Sequence, residues 1–197
     1  MTPPDILTAL TPVVKAFEQL SIQYYIGGSV ASSIYGMARA TMDIDIVADI
    51  KAFHIPKLKQ LLKEEYYIDE DMIKGAINSS SSFNLIHFET AFKIDIFIYK
   101  DEPHQRNAIE RKVKDKFDED LDFEYYFSAP EDIIIAKLQW YVQGNKVSER
   151  QWLDIIGVIK VQAGKLDISY LKSWAKKLEL YDLLKKAFLD CDIQIEE

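Results

Sequence analysis

Apolar residues recur three and four apart from Ile6 through Leu7, Leu10, Val13, Val14 and Phe17 to Leu20, which predicts an amphipathic helix over residues 5–20. Pro3 and Pro4 fall at its start, where proline is tolerated. The pattern then shortens to period two. "IQYYI" predicts a strand ending at Gly27-Gly28, Ser29 to Tyr35 a short helix closed by Gly36, and "MDIDIVA" a second strand. "IPKLKQLLKEEYY" predicts another amphipathic helix, followed by a short polar segment and "INSSSSFN", whose serine run reads as a flexible loop tip. "FNLIHFE" and "FKIDIFIY" predict an antiparallel hairpin around Glu89-Thr90-Ala91. The charged stretch "EPHQRNAIERKVKDKFDED" reads as a surface helix with a loop, and "LDFEYYFS" as a last strand. Beyond Pro130 every segment reads as helix. Gly144 ends one of them, and Ser148 with Gln151 forms a capping box for the next. The expected fold is α/β (α+β): a mixed sheet flanked by helices over residues 1–127, and a helical region over 128–197 packed on it to share one core. No internal repeat or linker is visible.

Composition narrows the class. The 197 residues are 48% apolar, enough for a well-packed domain, and carry 24 Lys and Arg against 32 Asp and Glu, a formal charge of -8. That balance argues against a general nucleic-acid coat protein, whose affinity needs a surplus of cations, although a local basic patch stays open. The one cysteine, Cys191, excludes an intrachain disulfide and a cysteine-based zinc site and points to a reducing compartment. "MTPPDILTAL" lacks the basic start and apolar core of a signal peptide, and no apolar run approaches the roughly 18 residues of a membrane span. The expectation is a cytoplasmic protein with no membrane partner.

The chemistry is concentrated in the acidic strands. Aspartate is depleted in strands, and two like charges on one strand face repel, so Asp43 and Asp45 in "MDIDIVA" need a reason. Asp95, between Ile94 and Ile96 in "FKIDIFIY", repeats the arrangement. If these strands are neighbours, three carboxylates converge, and an oxygen-rich site of that kind suits Mg²⁺ or Mn²⁺. Two such ions can steer an in-line phosphoryl displacement. One aspartate alone would read as a solvent-facing strand residue. Upstream, Gly27 and Gly28 let backbone approach a ligand, the following helix start offers N-H groups to a phosphate, and Ser29 adds a hydroxyl. Taken singly that turn is also an ordinary one, with Ser29 as helix N-cap.

Together, "GGSVASSIYGMARATMDIDIVA" and "FKIDIFIY" resemble the nucleotidyltransferase superfold related to DNA polymerase β. Its pattern is a glycine followed by glycine or serine, a spacer, Asp-x-Asp or Asp-x-Glu, and a third acidic strand residue. The closest look is to the minimal bacterial branch containing the AbiEii/AbiGii toxin-type transferases, and it extends into "APEDIIIAKLQWY" and "SERQWLDIIGVI". The resemblance implies that Gly28 and Ser29 form the triphosphate-binding turn, with Gly27 beside them. It makes Asp43 and Asp45 the metal-binding pair and Asp95 the third acid, which shares the metal and helps activate the incoming hydroxyl. Lys137 matches a lysine that holds nucleotide phosphates, and Asp154 an aspartate that orients it or the nucleotide. The spacing of Arg150 and Asp154 departs from the pattern of that branch.

Other residues admit two readings each. Lys137, with Gln139 the only polar residue in "IIIAKLQWYV", either reaches a cleft or carboxylate or snorkels to solvent. Asp154 is a site residue or an i,i+4 partner of Arg150. Arg39 and Thr41 touch phosphate or brace the loop. His87 reads as packing, His54 and His104 as surface, and Trp140, Trp152 and Trp174 as core. The function these readings imply is transfer of a nucleoside monophosphate from an NTP, with Mg²⁺ or Mn²⁺, to an acceptor hydroxyl on a tRNA, a protein or a small molecule, with pyrophosphate released. A toxin-antitoxin component with a cognate antitoxin fits the resemblance. The rival is a catalytically silent binding partner, or itself an antitoxin, with the same fold.

Overall fold

The structure, a computed structural model, describes residues 4–41, 43–117 and 122–195. In chain order its elements are α1 (Pro4–Gln19), β1 (Tyr24–Ile26), α2 (Gly28–Tyr35), β2 (Asp43–Ala48), α3 (Ile55–Leu62), β3 (Tyr66–Tyr67), α4 (Glu70–Ser79), β4 (Ser82–His87), β5 (Lys93–Ile98), α5 (Pro103–Arg111), β6 (Val113–Asp115), β7 (Tyr125–Phe127), α6 (Pro130–Gln143), α7 (Glu149–Gln162), α8 (Ile168–Lys177) and α9 (Tyr181–Leu189). Pro3, Met42 and residues 118–121, on which parts of the sequence reading fall, lie outside the described residues. The chain divides into two compact units, one of Met1–Gly27 with Thr41–Phe127, the other of Gly28–Ala40 with Ser128–Glu197.

The first unit is a mixed seven-stranded sheet in the order β3-β4-β5-β2-β1-β7-β6. β2 runs parallel to β5, and β1 parallel to β7; the other neighbours are antiparallel. Alternation decides which face is dry. Ile44, Ile46 and Ala48 of β2, Ile94, Ile96 and Ile98 of β5, and Phe83 and Leu85 of β4 are all buried, whereas the intervening positions are more open. α1 follows its helical spacing and buries Ile6, Ala9, Leu10, Val13, Val14 and Phe17.

Three local expectations are corrected in this unit. The helix at 55–67 stops at Leu62, and Tyr66–Tyr67 becomes an edge strand on β4, with the Tyr66 hydroxyl donating to the Ala9 carbonyl at 2.6 Å. The polar segment before the hairpin is a helix, α4, because Asp69 caps the Met72 N-H at 2.8 Å and Glu70 and Asp71 favour its positive end. Ser80 at φ 48° ends it, so only a short turn remains of the loop tip. The charged stretch after α5 also contains β6, an edge strand whose Val113 and Lys114 are exposed, which hides the alternation.

The second unit is helical. α2, α6 and α7 pack together around Val30, Ala31, Ile134, Leu138, Ile155 and Val158, all buried. At Gly36 a Cβ would lie 2.7 Å from the Ser32 carbonyl oxygen and 2.8 Å from the Val158 nitrogen, so glycine is needed for the chain after α2 to approach α7. Ser148 caps α7 through the Gln151 N-H, but the Gln151 side chain turns to Lys137 instead of completing a capping box. Of the three tryptophans expected in the core, Trp174 is buried, Trp152 is half-buried with its Nε1 donating to Asp190 Oδ2 at 3.0 Å, and Trp140 is half exposed. Among the described residues no helix is long and apolar enough to cross a membrane.

Candidate active site

In the first unit, the parallel pairing of β2 with β5 sets Asp45 directly beside Asp95 and Asp43 beside Lys93. All four point from the same, open face of the sheet, since they share strand parity and lie opposite the buried isoleucines. β4 adds Asn84 next to Asp95 on that face. The acidic residues singled out by the sequence are therefore brought together in register. Two of them have these partners: the Thr41 hydroxyl donates to Asp43 Oδ1 at 2.7 Å, Lys93 Nζ lies 2.7 Å from Asp95 Oδ2, and Asn84 Nδ2 donates to Asp95 Oδ1. The hydrogen bond to Asp95, with the charges of Asp95, Asp43 and Asp45, holds the Lys93 ammonium above the ordinary lysine value despite some burial. At the sheet's inner edge of this cluster the Gly27 N-H donates to the Asp45 carbonyl at 2.8 Å.

Oxygen donors on one strand pair have the chemistry that Mg²⁺ or Mn²⁺ prefers. The side chains as they stand do not form a cage, for among the described residues no three His, Cys, Asp or Glu are grouped so as to hold an ion. Both Asp95 oxygens are turned to Lys93 and Asn84. Lys93 and Asn84 were missed in the sequence. Their signal was parity: Lys93 precedes Asp95 by two, the spacing that puts two strand residues on one face.

In the second unit, α2 begins at Gly28, whose φ of 55° is one that glycine adopts without strain. Ser29 is thus inside the helix and is not its N-cap. Its Oγ accepts a hydrogen bond from Arg39 Nη2. Arg39 also grips Asp154 with two bonds, Nε to Oδ1 at 2.8 Å and Nη2 to Oδ2 at 3.0 Å. Lys137 Nζ reaches the same Oδ2 at 2.8 Å and Gln151 Oε1 at 3.2 Å. Lys137 and Asp154 are buried, whereas the Arg39 side chain is one-third exposed. Burial alone would push the Asp154 carboxyl up, but the Arg39 hydrogen bonds and the Lys137 charge and hydrogen bond outweigh it and hold the group below the ordinary aspartate value. Asp154 is therefore not the i,i+4 partner of Arg150, and Lys137 does not snorkel. Ser29, Arg39, Lys137 and Asp154, far apart in sequence, form one network.

The histidines play smaller parts. His87 is buried against Tyr66 and bonded through Nδ1 to Thr90 at 2.8 Å, as a packing residue would be. His54 is half-buried beside the exposed Phe53, with burial holding its pKa below the ordinary value, and His104 is half-buried with its Nε2 shielded from solvent.

No protein-family model matches the chain, and no curated protein matches it. Solved structures do. An antigenic nucleotidyltransferase-like protein from Paracoccidioides brasiliensis superposes with a TM-score of 0.57 at 15% identity, covering 99% of this chain and 96% of its own. ANT(2″)-Ia in complex with adenylyl-2″-tobramycin gives 0.54 at 12% identity, over 88% of this chain and 98% of its own. A putative nucleotidyltransferase from Thermotoga maritima gives 0.50 at 15% identity, over 78% and 96%. With its mixed seven-stranded sheet and flanking helices, the chain has a nucleotidyltransferase-like fold.

Proposed function

We propose that this protein is a metal-dependent nucleotidyltransferase that moves a nucleoside monophosphate from an NTP to an acceptor hydroxyl and releases pyrophosphate. The observation that carries the reading is the register of β2 on β5, which places Asp45 beside Asp95 with Asp43 two residues away on the same face. Like charges side by side on neighbouring strands are unfavourable unless a cation is to be shared. Asp43 and Asp45 would hold the ion, and Asp95 would complete the face and orient the acceptor hydroxyl. A divalent cation bound there neutralises charge on the phosphoryl oxygens and makes a hydroxyl easier to deprotonate. In the second unit Arg39, presented by Asp154 with Lys137 behind it, and the Ser29 hydroxyl would contact triphosphate oxygens, with the Gly27-Gly28 turn allowing backbone to come close. Their work is positioning and charge neutralisation.

The acceptor is a tRNA end, a protein side chain or a small hydroxylated molecule. The neighbour bound to adenylyl-2″-tobramycin supports the last as a precedent for this fold. A toxin-antitoxin role rests on the sequence resemblance alone. One observation favours the rival reading of a silent binding partner: the acid face is already engaged by Lys93, Asn84 and Thr41. The experiment that separates them is incubation with each α-labelled NTP, Mg²⁺ or Mn²⁺ and the three acceptor classes, alongside equilibrium dialysis of the same NTPs. Label transfer that disappears in Asp45→Asn is the expected result. A chain that neither binds any NTP nor transfers label is the silent partner.

A further inference from the structure

Building on the transferase reading, we infer that Lys93 occupies one of the cation positions of the acid face, so that this protein takes a single divalent ion, at Asp43 and Asp45. Transferases of phosphoryl groups commonly use two ions about 3.5–4 Å apart, shared by a set of carboxylates. Here a tethered ammonium stands among the carboxylates instead. Lys93 is the register partner of Asp43 and shares its strand face with Asp95, so the backbone delivers its side chain to the acids from within the sheet. Its Nζ lies 2.7 Å from Asp95 Oδ2.

The second oxygen of Asp95 is also committed. Asn84 Nδ2 donates to Oδ1 from β4, the strand on the other side of β5. An ion at Asp95 would have to displace a charged partner and a neutral one together. Asp43, by contrast, gives Oδ1 to the Thr41 hydroxyl, a donor that can turn away by rotation about one bond. The formal charges are consistent with this: one divalent ion and one ammonium match three carboxylates. A lysine suits the position because its ammonium is a compact point charge, closer to a bound ion than the flat fork of an arginine. Lys93 is a positioning residue in this scheme. It acts through Asp95, keeping that carboxylate aimed without a second metal.

The test is the number and coupling of bound Mn²⁺ ions, read by electron paramagnetic resonance on the whole protein with the α,β-methylene analogues of ATP, GTP, CTP and UTP. Wild type is expected to bind one Mn²⁺ per chain, with the spectrum of an isolated ion. Lys93→Met is expected to admit a second and to give the spectrum of a coupled pair, while Lys93→Arg keeps one. Should Lys93→Met fail to fold, Asp95→Asn serves: the count stays at one if Asp95 is not a ligand. Two ions or a coupled spectrum in wild type, an unchanged count in a folded Lys93→Met, or loss of the ion in Asp95→Asn overturns the inference and leaves the transferase reading standing. No Mn²⁺ with any of the four analogues overturns both.

Discussion

Lys137 Nζ lies 2.8 Å from Asp154 Oδ2, with the two side chains only 4% and 5% exposed, and the same carboxylate receives Arg39 from the other side. A buried ion pair is weak evidence of net stability, because desolvating both charges opposes their attraction. Breaking it from one side is another matter. Asp154→Ala takes the carboxylate away from a buried ammonium and is expected to cost about 3–5 kcal/mol in urea unfolding. Lys137→Met, which leaves Asp154 paired with Arg39, is expected to cost clearly less. Equal losses would mean that Arg39 does not hold the carboxylate.

The depressed pKa of Asp154 fixes a direction for acid. A carboxyl whose folded value lies below its unfolded one adds stability that is fully present above the ordinary aspartate value, about 3.9, and disappears as pH falls through the folded value. The stability difference between wild type and Asp154→Asn is therefore expected to be flat from neutral pH down to about 5, and to shrink below about 4. Unfolding titrations across that range measure it. A difference that already declines at pH 6–7 would assign the effect to another group.

Glycine gives a contrast within one protein. Gly36→Ala would press a Cβ onto backbone atoms of Ser32, Gly157 and Val158 at under 3 Å, and backbone cannot step aside as a side-chain tip can. A loss of about 1–3 kcal/mol or more is expected. Gly75, exposed in α4 with open space around it, is expected to gain about 0.5–1 kcal/mol on becoming alanine. Thermal melts of the two variants should move in opposite directions.

These effects bear on how much the sequence disclosed. The acidic strands were legible because period-two alternation fixes the face of Asp43, Asp45 and Asp95, and the hairpin fixes that β4 and β5 are neighbours. Pairing of β2 with β5 is a long-range choice with no local signal, and it came from the resemblance. Lys93 was passed over because it reads as an ordinary wet-face residue until β2 is laid beside it. α4 escaped because only Ile73 and Ala76 are buried, too few anchors to show helical spacing. The Arg39-Asp154 pair spans 115 residues and could not be inferred from either end, whereas Arg150 stood at the tempting distance of four.

Ser29→Ala separates cap from ligand contact. Since α2 already begins at Gly28, the hydroxyl caps nothing, and its loss from Arg39 is expected to cost about 1 kcal/mol or less. If Ser29 and Arg39 face the triphosphate, affinity for NTP should fall about tenfold, the equivalent of one charge-assisted hydrogen bond. Equilibrium dialysis and urea unfolding on the same variant read the two effects independently. A large stability loss with unchanged NTP affinity would make the contact purely structural.

The acid face itself can be tested without knowing the acceptor. Adjacent carboxylates repel, by about 4 kcal/mol for a pair 4 Å apart at an effective dielectric near 20, less what Lys93 and solvent screen. Asp45→Asn removes one of the charges beside Asp95 with little change of volume, and Asp45 is the acid whose register partner is another acid. In EDTA this variant is expected to be as stable as wild type or more so. Asp95→Asn should behave differently, because it also strips Lys93 of its partner, and a small loss is expected there. Adding Mg²⁺ at about 100 times its dissociation constant should then stabilise wild type by about 2.7 kcal/mol and Asp43→Asn or Asp45→Asn by much less. A melting series with and without Mg²⁺, Mn²⁺ and NTP measures all of this. If Asp45→Asn is instead destabilised in EDTA, and wild type is indifferent to both ions in the presence of NTP, the aspartates serve as structural hydrogen-bond acceptors and the transferase reading fails.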